Sequence, residues 1–141
     1  MTEASSSARD NRVLLLPLTN RDAKTSREVL HKASIEVEVC ETFDALLTEL
    51  ARGSAAVAVA EERLSMSDST RFAEVLHEQP PWSDLPVLLL TRWGADSETA
   101  RNAVRTLGNV TLLERPVRIT TLVSAFRTAL RARQRDRKSV V

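Results

Sequence analysis

The chain has 141 residues, 43% of them hydrophobic, which is enough for one domain with a real core and too few for two of ordinary size. Its 20 Lys and Arg against 19 Asp and Glu leave a formal charge of +1, which excludes a surface built throughout to grip nucleic acid or anionic lipid. No apolar stretch approaches the roughly 20 residues of a membrane-spanning helix, and the opening MTEASSSARDN is polar where a signal peptide would be hydrophobic, so a cytoplasmic protein is expected.

Residues 1–11, Ser-rich and charged, are expected to form a disordered leader. RVLLLPL is a continuous apolar run and reads as a first strand, and NRDAKTSREVLHKAS as a polar helix capped by Asn20. IEVEVC sets Ile35, Val37 and Val39 against Glu36 and Glu38, the alternation of a strand with one wet face or edge. Cys40 ends that strand and reads as a buried, inert thiol; a lone cysteine makes neither an internal disulfide nor a Cys-rich zinc site. TFDALLTELARG places Phe43, Leu46, Leu47 and Leu50 at helical spacing, with Gly53 as the stop.

SAAVAVAEERLS is a third strand, apolar on both faces, that stops on Glu61 and Glu62. DSTRFAEVLHEQ is a third helix with Phe72, Val75 and Leu76 inward, and the adjacent prolines of PPWSDLP break the chain after it. VLLLT is a fourth strand, and SETARNAVRTLG carries Ala100, Ala103, Val104 and Leu107 on one face before Gly108. VTLLE is a fifth strand, and ITTLVSAFRTALRAR sets Ile119, Leu122, Val123, Phe126 and Leu130 along one stripe. Five strands alternating with five helices predict a doubly wound α/β domain over residues 12–133. Right-handed crossovers and the polar second strand predict a parallel sheet in the order 2-1-3-4-5. Residues 134–141 read as a basic tail or the start of a helical linker. Arg127 to Lys138 hold six basic residues and one acidic, a balance that the helix macrodipole favours at a solvated helix end.

In this order and spacing the chain resembles the receiver domain of two-component response regulators from Arg12 to about Arg133. The pieces that carry the resemblance are RVLLLPL, AAVAVAEE, DLPVLLLT and ERPVRITTL. The resemblance implies a flavodoxin-like sheet whose strand ends hold an acidic pair for Mg²⁺, an Asp that takes a phosphoryl group, a Thr or Ser that senses it, and a Lys before proline. The acidic pair falls on Pro17 and Leu18, neither of which offers the side-chain oxygens that Mg²⁺ requires. The phosphoacceptor falls on Ala60, or on Glu61 if the strand is shifted by one. Thr91 and Arg115 match the other two positions, Arg115 keeping the charge, and an Arg115–Pro116 cis peptide is typical of this place in the family. Leu112 stands near the place of the family's aromatic switch. The chain thus resembles a degenerate pseudo-receiver, with no metal and no cofactor expected.

Glu61 and Glu62 are either solvated loop residues or a pair of which one reaches Arg115 and imitates the phosphorylated state. Thr91 is either a switch hydroxyl or a cap for the loop backbone. Trp82 and Trp93 flank the fourth strand in polar loops; Trp82 reads as a local plug and Trp93 as an apolar anchor for a partner. His31 and His77 read as surface residues, and three scattered glycines make no phosphate loop.

The expectation is a non-catalytic, phosphorylation-independent signalling domain that binds a protein partner. Self, a histidine kinase or an effector are the partners considered, with homodimerisation through the fourth helix, fifth strand and last helix favoured. Trp93, Arg101, Arg105, Arg118 and Arg127 are the interaction residues, with Asp96 and Glu98 as acidic counterparts. A receiver of a hybrid sensor histidine kinase is one compatible origin. Two alternatives stand beside it: nucleic-acid binding by the basic tail, which lacks aromatic platforms, and true phosphotransfer to Glu61. The less polar pocket left by Pro17, Leu18 and Ala60 also leaves small-molecule binding open.

Overall fold

Along the third strand, Ala56–Ala60, every residue is buried, but the two faces differ in bulk. Val57 and Val59 enter one core cluster with Leu14 and Leu16, whereas Ala56 and Ala58 enter another with Val13 and Leu15. This is the period-two alternation of strands sandwiched between two helical layers. The computed structural model describes residues 12–78, 85–92 and 97–139. The expected leader, Trp82, Trp93 and Asp96 lie outside them.

Five strands, β1 (Val13–Leu16), β2 (Val37–Val39), β3 (Ala56–Ala60), β4 (Val87–Thr91) and β5 (Val110–Glu114), pair in parallel. Their order is β2-β1-β3-β4-β5, as the alternation predicts. The helices are α1 (Asn20–Lys32), α2 (Phe43–Arg52), α3 (Met66–His77), α4 (Glu98–Leu107) and α5 (Ile119–Ser139), and a single 3₁₀ turn, Glu61–Arg63, follows β3. Phe72, Leu46, Leu50, Ala100 and Ala103 cover one face of the sheet from α2, α3 and α4. Leu30, Phe126 and Ala129 cover the other from α1 and α5. Each fully buried Leu or Phe contributes about 1.5–3 kcal/mol, so the two layers hold the strand ends in fixed register.

Local signals set the element ends. Thr19, not Asn20, caps α1, its hydroxyl accepting from the Asp22 N–H, and Asn20 is the first helical residue. Two adjacent cap-competent residues leave that choice to the path of the chain leaving β1. Thr42 caps α2, and Ser65 with Asp68 forms a capping box on α3. Gly53 and Gly108 follow α2 and α4 at φ 116° and 89°, a region costly for any residue with a Cβ. Two expected core positions are turned outward: Val104 is 45% exposed on α4 and Ile119 is 61% exposed at the start of α5. β2 is shorter than the IEVEVC pattern, with Ile35 and Cys40 buried on either side of it. No described helix is long and apolar enough to cross a membrane; α5 is long but heavily charged.

At the N-terminal end of β1, Arg12 is buried and ties this strand to α2. Its Nε donates to the Gly53 carbonyl at 3.1 Å, and its Nη2 donates to the Glu49 carbonyl and ion-pairs the Glu49 carboxylate, each at 3.0 Å. Nearby, burial pushes the Cys40 thiol up to about 11, with the negative charges of Glu38 and Glu49 adding to the effect. The thiol is therefore protonated at neutral pH.

Candidate functional site

The C-terminal ends of β1, β3 and β4 converge where a doubly wound sheet places its ligands. Pro17 and Leu18 follow β1, Pro17 buried and Leu18 39% exposed, and Ala60 closes β3 at 1% exposure. β3 pairs Ala60 with Leu90 of β4, so one residue further on Glu61 stands level with Thr91. The alternation that turns Ala60 toward α1 and α5 turns Glu61 toward α4.

Glu61 is 8% exposed and carries a carboxylate engaged at both oxygens. Oε2 accepts from the backbone N–H of Arg92 at 2.5 Å, and Oε1 accepts from the Ser97 hydroxyl. Ser97 is also the N-cap of α4, where its Oγ accepts from the Ala100 N–H. One side chain at the end of β3 therefore fixes both ends of the segment joining β4 to α4. Bonds to an ionised acceptor are roughly twice as strong as neutral ones, and burial protects them from water. Thr91 is fully buried, and its carbonyl accepts from the Arg115 N–H at 2.8 Å.

Glu62, and not Glu61, is the carboxylate at Arg115, to which the Arg115 Nη2 donates. The side chains are 36% and 23% exposed, so solvent screens the pair and its contribution is small. The Arg115–Pro116 peptide is cis.

Arg63, the residue that ends the 3₁₀ turn, was not singled out by the sequence. Its Nη1 donates to the Pro17 carbonyl at 2.9 Å and its Nη2 to the Glu41 carbonyl at 2.7 Å, so a cationic group joins the chain leaving β1 to the chain leaving β2. The resemblance to receivers would place Mg²⁺ beside these residues, and the donor set does not fit it. Pro17 and Leu18 have no side-chain oxygen, the Pro17 carbonyl is directed to Arg63, and no described group of three or more His, Cys, Asp or Glu could hold a metal.

Among the proposed interaction residues, Arg101 and Arg105 are exposed on α4 on either side of Val104, and Arg118 is exposed before α5. β5 is half-buried at Leu112 and Leu113 and open at Thr111 and Glu114. Arg127 sits apart from this cluster, its Nη2 reaching the Ala33 carbonyl at the end of α1 at 3.3 Å.

No protein-family model matches the chain, and no curated protein sequence matches it either. Solved structures do. The signal receiver domain of an HD domain-containing protein from Pseudomonas fluorescens Pf-5 superposes with a TM-score of 0.74 at 20% identity, over 92% of this chain and 93% of that one. The fold is that of a response-regulator receiver domain. A CheY-like receiver domain protein from Methanospirillum hungatei JF-1 gives a TM-score of 0.74 at 13% identity, over 89% of this chain and 98% of that one. The receiver domain of a sensor histidine kinase from Pseudomonas aeruginosa PAO1, determined with a magnesium ion in its active-site cleft, gives 0.69 at 15% identity, over 85% and 97%. At the strand ends of this fold the present chain carries Pro17, Leu18, Ala60 and Glu61.

Proposed function

We propose that this receiver-like domain is a phosphorylation-independent signalling module that acts by protein contact and is not an enzyme. The observation that carries the reading is Glu61, whose resident carboxylate holds the Arg92 N–H and the Ser97 hydroxyl. A receiver that works by phosphotransfer needs a transient anion at its strand ends to draw in the segment after β4. Here the resident Glu61 carboxylate already does so, while Arg115 is engaged by Glu62 and Arg63 by the Pro17 and Glu41 carbonyls. Phosphorylation of Glu61 itself would displace both of its hydrogen bonds in a site where the described residues form no cluster of three metal-ligating side chains to offset the added charge.

The partner surface is the α4–β5–α5 face. Val104, exposed between Arg101 and Arg105, supplies the apolar contact, and the arginines supply register more than affinity. A second copy of the chain is the favoured partner, and the basic stretch from residue 134 onward serves as a link to an effector.

Two measurements test this. Treatment with a small acyl phosphate and Mg²⁺ leaves the intact mass unchanged; gain of one phosphoryl group with altered association refutes the reading. In light scattering over a dilution series the chain self-associates, and Val104→Glu or Arg105→Glu abolishes it. A monomer at all concentrations refutes the homodimer while leaving the resident-carboxylate switch to be judged by the mass measurement.

A further inference from the structure

The alanine stripe of β3 has a consequence on the face opposite Glu61. Ala56 and Ala58 are packed in one cluster with Phe126 and Ala129 of α5, but Ala60 lies beyond them and forms the floor of a cavity of about 530 Å³. The cavity opens between the start of α1 and the start of α5, outside the ends of β1, β3 and β4. It therefore sits at the point where the sheet order reverses between β1 and β3, and its size is within the roughly 300–1,000 Å³ of small-molecule sites. Leu15, Leu90 and Leu122 join Ala60 in an apolar floor and wall. Leu18 and Ile119, two of the three large hydrophobic residues exposed among the described residues, stand at its lining too. Exposed apolar side chains gathered at one concavity mark a surface that binds.

The polar lining is specific in sign. Arg21 from α1 and Arg115 from the end of β5 face the cavity against a single acid, Asp22, with the hydroxyls of Thr25 and Ser26 beside them. A cation would meet two guanidinium groups, and a hydrocarbon would desolvate them without compensation. A carboxylate would meet donors arranged for it, since a guanidinium presents several N–H groups in a fork and the pairing with Glu62 does not exhaust them.

We infer that the cavity between α1 and α5 binds a small amphipathic carboxylate, its apolar body on the Ala60 floor and its head group between Arg21 and Arg115. Binding there draws Arg115 away from Glu62 and so reports ligand to the chain around cis-Pro116. This inference is independent of the partner surface: it stands or falls on the cavity alone.

The test is an amide NMR titration of the full chain with decanoate, with decanol and decyltrimethylammonium as neutral and cationic controls. Expected are saturable shifts at Leu18, Arg21, Ser26 and Val117, with each control about tenfold weaker or worse. Ser26→Phe, which fills the cavity, and Leu18→Glu, which sets a negative charge on an exposed rim position, each weaken decanoate by about tenfold or more. Shifts that do not saturate, that map elsewhere, or that the cationic amphiphile reproduces with equal affinity overturn the inference. So does a cavity already filled by a second copy, seen as concentration-dependent shifts at the same amides without ligand. Leu18→Glu alters an exposed side chain, so the test survives if Ser26→Phe fails to fold.

Discussion

Removal of the Glu61 carboxylate is expected to release the segment between β4 and α4 and to cost more than any exposed ion pair in the chain. Glu61→Ala deletes an ionised acceptor that serves two donors, the Arg92 N–H and the Ser97 hydroxyl, in a site only 8% exposed. Hydrogen bonds to charged groups contribute about 1.5–3 kcal/mol each and are not additive within one network, which places the loss near 3 kcal/mol. Glu61→Gln keeps the shape. Its amide oxygen can accept from Arg92 while its NH₂ donates to Ser97, whose oxygen still has a lone pair after accepting from Ala100. Only the charge assistance is lost, and a cost of about 1 kcal/mol follows. Urea unfolding of the three proteins measures the difference, and hydrogen exchange at the Arg92 amide locates it. Exchange at Arg92 accelerates most in the Ala variant, little in the Gln variant, and not at all at Arg12, at the opposite end of the strands. A Glu61→Ala variant within about 0.5 kcal/mol of the parent, or one with unchanged Arg92 exchange, refutes the claim that Glu61 holds this segment.

Other consequences follow from buried or non-local groups. Arg63→Met removes donors to the Pro17 and Glu41 carbonyls and is expected to cost about 1–2 kcal/mol, with amide shifts confined to the chain after β1 and β2; a stabilised variant contradicts the bridging role. Cys40, held near 11 in the folded chain against an ordinary 9.0, resists thiol reagents at pH 8 until the protein unfolds. Because the folded value lies above the unfolded one, the stability it provides is complete below about 9 and is lost as pH rises toward about 11, which unfolding at stepped pH will detect by comparison with Cys40→Ala. Ser69 is 1% exposed on α3 with a hydroxyl that has no hydrogen-bond partner among the described residues, so Ser69→Ala is expected to raise the unfolding free energy by about 1 kcal/mol; a loss of stability would show that the hydroxyl is satisfied.

Much of the architecture was legible before any coordinates. AVAVA, VLLL and VLLLT are too short and too uniformly apolar for surface elements, and their alternation with amphipathic segments leaves a doubly wound sheet as the economical solution. The polar VEV strand, with Glu38 exposed, had to be an edge. Helical phase was less secure. The stripe Ala100, Ala103, Val104 and Leu107 covers an arc of about 100° with Val104 at its margin, and only the packing of α4 on the sheet decided that Val104 turns outward.

The strand ends divide along the same line. Sequence alone determined what is missing there, because Pro17, Leu18 and Ala60 lack oxygen-bearing side chains in any conformation. It also brought Glu61, Glu62, Thr91 and Arg115 to one edge, since parallel strands end together. It did not decide the pairings. Ser97 meets Glu61 across 36 residues and Arg63 meets Pro17 across 46, and no local periodicity encodes partners so far apart. The period-two pleat and the 3₁₀ turn send Glu61 to α4 and Glu62 to Arg115, while the small alanine face of β3 leaves the cavity beside α1 unfilled. Residue types fix the chemistry that is possible at a strand end; the side of the sheet each residue faces, and what the opposing helix brings to it, is settled only when the layers pack.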